Sequence, residues 1–194
     1  IQDIGSDDCN ARVTLNDPNL HEINGYSIKT TNNYVAKIWQ GSYLGISRAN
    51  VVLDKVPGIA MDTLLKARIL GEARFLRGLY YFNLVRLFGG VPLVTAPVSP
   101  NLTPEEIYPI RSPVSDVYNL IISDFEFAAK RLPPTHPSPN DKGRATRGAA
   151  LGLLSKVWLT LEQWENAYST AQQVIESNVY SLNADYAANF KETN

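Results

Sequence analysis

The sequence predicts a mostly α-helical protein, built from stacked helical hairpins of the α-solenoid type that are joined by long irregular loops. Apolar residues recur at spacings of three and four along several segments, which is the periodicity of an amphipathic helix. Proline and glycine clusters separate these segments. Residues 146–177 also carry the pattern of small and large side chains that repeat hairpins use. No strand-rich region stands out.

Length, composition and charge favour an ordinary folded domain. The chain has 194 residues, of which 44% are hydrophobic and 19% charged. We expect one domain over 1–194, truncated at both ends, by the rough guide of ~100–200 residues per domain. The net charge of −1 gives no indication of a nucleic-acid partner. No run of about 18 apolar residues is present that would span a bilayer.

Five helices are expected after a polar N-terminal loop region, 1–34, in which turn signals are frequent. An extended, proline-rich linker is expected over 89–112, and the pair Ser112-Pro113 that ends it is a typical helix start. The predicted helices span 35–54, 61–88, 113–132, 146–161 and 164–177. The first two would form a helical hairpin over 35–88, and the others a helical region over 113–178.

The last two predicted helices match the tetratricopeptide pattern of a helix–turn–helix repeat. Small residues are needed where two helices touch, and Ser155, Ala167 and Ala171 supply them. Trp158 and Trp164 are the large residues that we expect to fill the gaps between helices. Because each hairpin must bury its apolar face against the next, an α-solenoid core follows.

The second helix is apolar on nearly every side, yet it carries Arg74, Arg77 and Arg86. A helix enclosed by neighbouring hairpins explains both features, because arginine stems can lie along apolar surface while their guanidinium groups reach carboxylates or helix-end carbonyls. We therefore interpret these arginines as structural rather than as ligand contacts.

Four phrases carry a resemblance to a known family, and together they cover residues 38–177. The second phrase is the most specific, since it joins an Arg-Phe-Leu-Arg helix to Phe-Gly-Gly-Val-Pro-Leu. The phrases are IWQGSYLGISRANVVLDKV, GEARFLRGLYYFNLVRLFGGVPLVT, SPVSDVYNLIISDFEFAAKRLP and GRATRGAALGLLSKVWLTLEQWENAYSTAQQVIES. The chain resembles the N-terminal, tetratricopeptide-bearing portion of the SusD/RagB family, nutrient-binding lipoproteins of the Bacteroidetes outer membrane.

This resemblance implies a surface-exposed protein that binds an oligosaccharide or polysaccharide and has no catalytic activity. It also implies a SusC-like TonB-dependent transporter of the outer membrane as partner. Cys9 is the only cysteine, and it lacks the apolar run and small residues of a lipoprotein cleavage site. We therefore expect membrane attachment only through a lipid anchor outside this segment.

Residues before and at the start of the first predicted helix mix carboxylates, a guanidinium group and aromatic rings. Aromatic planes cover the C–H faces of sugars, while charged groups take hydrogen bonds from hydroxyls. The candidate glycan-binding residues are Asp7, Asp8, Arg12, Tyr26, Tyr34 and Trp39. The alternative is a solvent-exposed loop with Trp39 buried in helix packing.

Two other functional classes remain open at this point. A tetratricopeptide scaffold would hold a peptide or partner protein on its concave face. An enzyme finds less support, because the sequence has no HExxH motif and no Cys/His cluster, and its two histidines, His21 and His136, lie far apart. We expect neither a cofactor nor a metal site.

Overall fold

The computed structural model describes residues 17–97, 103, 108–136 and 138–190. Within these ranges the chain forms six α-helices and no β-strand, which confirms the mostly α prediction. The helices are α1 (Pro18–Asn24), α2 (Asn33–Lys55), α3 (Thr63–Phe88), α4 (Val114–Arg131), α5 (Arg147–Thr160) and α6 (Trp164–Glu176). The five predicted helices are confirmed to within two residues at each end. No helix in this part of the chain is long and apolar enough to cross a membrane.

The first helix, α1, lies in the region that the sequence predicted to be loop. Asp17 caps it by accepting a hydrogen bond from the backbone N–H of Asn19, and Pro18 occupies its first turn. Both residues are typical of helix starts. With seven residues, α1 is too short to display a helical period, so its caps are the only signal in the sequence.

The chain divides into two compact units, Ile1–Gly45 and Ile46–Asn194, and α2 continues from the first into the second. The single domain that the sequence predicted over 1–194 stays a prediction. Within the second unit, the closest backbone packing joins α3 to α4, α4 to α5 and α5 to α6. The α3–α4 pair therefore forms the centre of this unit, and the hairpin expected over 35–88 stays a prediction.

Two glycines set the distance between α3 and α4. Gly71 and Gly78 are seven residues apart and therefore lie on one face of α3. A Cβ atom on Gly71 would lie 3.1 Å from the Cβ of Arg131, and one on Gly78 would lie 3.2 Å from Cε1 of Phe125. Larger side chains would push α4 away. The close approach of α3 and α4 buries a core that contains Tyr81, Phe82, Leu84, Val117, Ile121 and Phe125.

Arg77 lies inside this core with only 4% of its surface exposed. Its Nε and Nη2 each donate a 2.8 Å hydrogen bond to the carboxylate of Asp124 on α4, which is fully buried. Its Nη1 donates to the side-chain oxygen of Asn50 at 2.9 Å and to the carbonyl of Thr95 at 3.5 Å. One guanidinium group thus joins α2, α3, α4 and the segment that follows α3.

Arg74 and Arg86 also have structural roles, as the sequence predicted. Arg74 donates from Nη1 to Oδ1 of Asp124 at 2.8 Å, so that one buried carboxylate serves two guanidinium groups. Arg86 lies over the ring of Phe82, with 4.4 Å from its Cζ to the ring centroid, and donates to the side chain of Asn83.

The segment predicted as an extended linker, 89–112, contains no helix among its described residues, but its first part is packed into the core. Val91 is fully buried. The hydroxyl of Tyr81 accepts a 2.7 Å hydrogen bond from the N–H of Val94 and donates to the carbonyl of the same residue at 3.1 Å. Burial raises the pKa of Tyr81 to about 12, which keeps this hydroxyl protonated and able to donate.

The repeat hairpin of α5 and α6 agrees in part with its prediction. Ser155 donates from its hydroxyl to the carbonyl of Ala167 at 2.8 Å, so small residues do lie where the helices touch. Trp158 is half-buried. The prediction for Trp164 was wrong, because this first residue of α6 is 60% exposed instead of filling a gap between helices.

We predict that replacing the buried carboxylate in Asp124→Leu lowers the free energy of unfolding by about 3–5 kcal/mol, because two guanidinium groups then lose their shared partner. Urea denaturation measures this change. Glu126→Leu, at an exposed position two residues away, is the matched control and should change stability little. The double variant Arg77→Met/Asp124→Leu should recover part of the loss. A loss in Asp124→Leu no larger than in the control would contradict the role assigned to this pair.

Candidate functional site

The predicted glycan-binding residues divide into two groups. Tyr26, Tyr34 and Trp39 lie in the described part of the first unit. Asp7, Asp8 and Arg12 lie outside the described residues. The three aromatic residues and their neighbours are the described part of the proposed site.

Tyr26 ends α1 in a backbone conformation that usually selects glycine. Its N–H bonds to the carbonyl of Ile23, and the N–H of Ser27 bonds to the carbonyl of Glu22, which together form a Schellman motif. Tyr26 occupies the left-handed position of this motif, with φ of 52°. Glycine is present one residue earlier, at position 25. The ring of Tyr26 is thereby presented on the surface, and the residue is 76% exposed.

Tyr34 lies in the first turn of α2, and its hydroxyl is already engaged. It donates a 2.7 Å hydrogen bond to Oδ2 of Asp17, the residue that caps α1. This bond holds the pKa of Asp17 below its usual value and raises the pKa of Tyr34. Lys37 lies over the same ring, with its Nζ 5.7 Å from the centroid. Tyr34 therefore fixes the chain between α1 and α2, and this residue is less exposed than Tyr26.

Asn32 is a structural residue of this unit that sequence reasoning missed. It is almost fully buried, and its side-chain oxygen accepts from the N–H of Tyr34 at 3.0 Å, which caps α2. Its amide nitrogen donates to the carbonyl of Asn19 and to Oε2 of Glu22, both at 2.9 Å. The bond from Asn32 is the largest cause that lowers the pKa of Glu22. An asparagine directly before a helical period was the signal that could have identified it.

Trp39 lies on a different side of α2 from Tyr34. Five residues separate them, so their directions differ by about 140° around the helix axis. Trp39 is half-buried and pairs with Tyr43 one turn later, with ring centroids 5.0 Å apart and an interplanar angle of 48°. These two rings form a local pair. Of the three described candidates, Tyr26 has the geometry best suited to stack on a sugar.

In the second unit, two adjoining clefts run along α4, α5 and α6, with volumes of about 670 and 510 Å³. They share part of their lining, including Arg147 and Gln173. Their polar lining side chains include Glu126, Lys130, Arg147, Asn166 and Gln173. A groove lined by positive, negative and amide side chains can form hydrogen bonds with a peptide or an oligosaccharide. Within the described ranges, no three His, Cys, Asp or Glu side chains are grouped as a metal site would need.

Comparison with known proteins decides the family. The family described as starch-binding and associating with the outer membrane, SusD-like, matches residues 6–159. The chain belongs to the SusD-like family. The resemblance seen in the sequence is thus confirmed, and the family is one associated with the outer membrane of Bacteroidetes.

Individual relatives agree with this assignment. SusD-like protein P25 of Formosa agariphila is 30% identical over 162 residues, which are 82% of this chain and 30% of that protein. A laminarin-binding SusD-like protein is 31% identical, with a TM-score of 0.82 over 92% of this chain and 39% of its own. A structure solved with a xylogluco-oligosaccharide is 27% identical, with a TM-score of 0.75 over 89% of this chain and 36% of its own. This SusD-like chain therefore spans about a third of the length of these relatives.

We predict that acid weakens the contacts between α1 and α2, because the pKa values of Asp17 and Glu22 are lowered in the folded protein. Their stabilisation is therefore present above the pKa of the unfolded chain, about 4, and is lost as the pH falls further. The melting temperature of Asp17→Asn should lie below that of the parent at pH 6, and this gap should narrow as the pH falls below about 4. A gap that stays constant over this range would show that the charge of Asp17 contributes nothing.

Proposed function

We propose that this SusD-like protein is a non-catalytic glycan-binding subunit at the outer-membrane surface, which passes oligosaccharides to a SusC-like TonB-dependent transporter. The observation that carries the proposal is the match in fold and sequence to a laminarin-binding relative along most of this chain. The relative solved with a xylogluco-oligosaccharide supports the same class of ligand.

The geometry of Tyr26 supports a role in sugar stacking. A left-handed conformation is unfavourable for a residue with a Cβ atom, and proteins tend to keep such conformations where they serve a function. Here the conformation leaves an aromatic ring exposed at the turn after α1. An aromatic plane of this kind can cover the C–H face of a pyranose while the sugar hydroxyls remain in water. We therefore place one contact of the glycan site at Tyr26.

We predict that Tyr26→Gly separates binding from stability. Removing the ring should weaken oligosaccharide binding by roughly fivefold, since a stacked ring contributes on the order of 1 kcal/mol and 1.4 kcal/mol corresponds to one decade. The melting temperature should rise, because glycine adopts a positive φ without strain. Calorimetry with laminarihexaose and a xyloglucan heptasaccharide measures the first effect, and thermal unfolding measures the second.

Tyr186→Gly is the control for this experiment, because Tyr186 is equally exposed but lies near the other end of the described chain. It should leave binding unchanged. If Tyr26→Gly bound both sugars as tightly as the parent, Tyr26 would not belong to the site. If the parent protein bound no glycan of a broad neutral and acidic panel, the proposed function itself would be wrong.

The partner surface is proposed on the repeat hairpin. Trp164, Tyr168 and Ile175 lie on one side of α6, since their spacings of four and eleven residues return to the same face, and all three are exposed. A contiguous exposed apolar stripe commonly marks an interaction surface. We assign this stripe to the contact with the transporter, because rigid repeat helices offer a broad, fixed surface.

We predict that Trp164→Ser/Tyr168→Ser reduces recovery of a large β-barrel protein when the SusD-like protein is purified from membranes in mild detergent. Glycan binding by the purified variant should be unchanged. Tyr186→Ser, which removes an exposed aromatic residue outside the stripe, should retain the partner. If the parent protein, at native expression, co-purified with no β-barrel protein, the proposed partnership would be wrong.

One observation favours the alternative of a peptide-binding scaffold. The cleft of about 670 Å³ is lined by exposed Glu126, Lys130 and Arg147, and no side-chain bond from them to another described residue is seen. Such groups could bind the ends and backbone of an extended peptide. Peptide binding in this cleft, combined with an absence of glycan binding, would favour the scaffold.

A further inference from the structure

A third cleft shares only Leu132 with the cleft of about 670 Å³. It has a volume of about 450 Å³ and is formed by the first turn of α3, the end of α4 and the residues that follow α4. Leu64, Leu65, Leu132 and Pro133 give it apolar walls, and both leucines of α3 are exposed. Its polar lining consists of Arg68, Arg131 and His136. The cleft therefore combines an apolar surface with groups that bind anions and hydroxyls.

The arginine side chains around this cleft outnumber the carboxylates that pair with them. Arg68 lies 3.5 Å from a carboxylate oxygen of Asp141 and 3.9 Å from one of Glu72. Arg144 uses both its Nε and its Nη2 on Glu72 and also lies 3.6 Å from Asp141. The two carboxylates are thus shared by two guanidinium groups.

The third guanidinium group, that of Arg131, has no carboxylate partner in the described part of the chain. Its Cζ lies 5.4 Å from the centroid of the Phe127 ring, which supports the side chain from one side. Together with the shared carboxylates, this leaves one positive charge at the cleft unbalanced. A guanidinium group without a carboxylate partner can form charge-assisted hydrogen bonds with an anionic group.

His136 adds a hydrogen-bond acceptor of defined identity. Its Nε2 lies 2.9 Å from the carbonyl oxygen of Ala145. A carbonyl only accepts, so Nε2 carries the proton, and Nδ1 of the neutral ring is an acceptor. Nδ1 is buried, and no hydrogen-bond donor for it is found among the residues that the structure describes. Because leaving a buried polar atom without a partner is unfavourable, this atom favours a ligand that brings a donor.

We propose that this cleft is a subsite for the hexuronate residues of acidic oligosaccharides. A hexuronate carries a carboxylate for Arg131, hydroxyl donors for Nδ1 of His136, and a C–H face for the leucines. Inorganic phosphate has no apolar face, and a peptide carboxyl terminus brings no ring of hydroxyls. The inference rests on the proposed function, because it takes the ligand to be a glycan and adds a preference for acidic ones.

The test compares D-glucuronate with D-glucose, which differ only at C6. The protein contains two histidines, His21 and His136, so histidine-labelled protein gives a simple NMR spectrum in which His21 is an internal control. D-glucuronate should shift the imidazole signals of His136 and leave those of His21 in place. D-glucose should bind at this site about tenfold more weakly, since it cannot form the charge-assisted bonds.

Two neighbouring variants identify the charge responsible. Arg131→Gln keeps the stem of the side chain against α3 but removes the charge, and it should weaken D-glucuronate binding about tenfold. Lys130→Gln removes an exposed positive charge one residue away that lines a different cleft, and it should retain binding. Thermal unfolding of both variants shows whether they are folded.

The following results would contradict the proposed subsite. Equal binding of D-glucose and D-glucuronate would remove the role of the charge, as would unchanged binding in Arg131→Gln. Displacement of D-glucuronate by equimolar inorganic phosphate, or by a free peptide carboxyl terminus, would show a general anion site. Binding of neutral oligosaccharides without any shift of His136 by D-glucuronate would reject the subsite but leave the proposed function intact. A protein that bound neither class of sugar would contradict both.

Discussion

The buried ion pair of Arg77 and Asp124 is the interaction on which the second unit depends. Its atoms connect α3 and α4 directly, and the remaining donors of Arg77 reach Asn50 on α2 and Thr95 beyond α3. An isolated charge inside a core is strongly unfavourable, so partial assembly of these elements is penalised. This requirement explains how one helix can be apolar on nearly all sides and still contain arginines. The apolar contacts provide the driving force for folding, and the ion pair makes one arrangement of the helices preferable.

The two proposed sugar contacts share a physical design, although they belong to different units. In each, apolar or aromatic side chains at a helix end are exposed to solvent. These are the ring of Tyr26 after α1 and the leucines at the start of α3. Short-range polar bonds fix the backbone beneath these side chains. Recognition chemistry at helix ends can change by substitution of one or two side chains without altering the contacts between the helices. Such a design suits a family in which one fold binds different glycans.

Local features of the sequence were enough to predict α2 to α6 but not α1, because residues such as Asp62 and Thr146 cap their helices through contacts only three residues long. The partners of buried charges were not predictable in the same way, since Asp124 is 47 residues from Arg77 and its choice depends on how α3 and α4 cross. Trp164 was misjudged for a related reason, because a repeat pattern gives the face on which a residue lies but not what covers that face. Among the proposed site residues, the sequence identified Tyr34 as an aromatic candidate, but it gave no sign that Asp17 would engage its hydroxyl.

Hydrogen bonds between the two ends of the segment after α3 determine how changes in its length affect the fold. The N–H of Ser112 donates to the carbonyl of Val91, and Arg111 donates to the carbonyl of Phe88, so the residues in between begin and end at neighbouring fixed points. Gly90 lies so close to the carbonyl of Ser112 that no side chain would fit between them. When the ends of a loop are held together, doubling its length costs only about 0.6 kcal/mol of closure entropy. Because these bonds fix both ends, a change in the length of the chain between Val91 and Arg111 would not require α3 and α4 to repack.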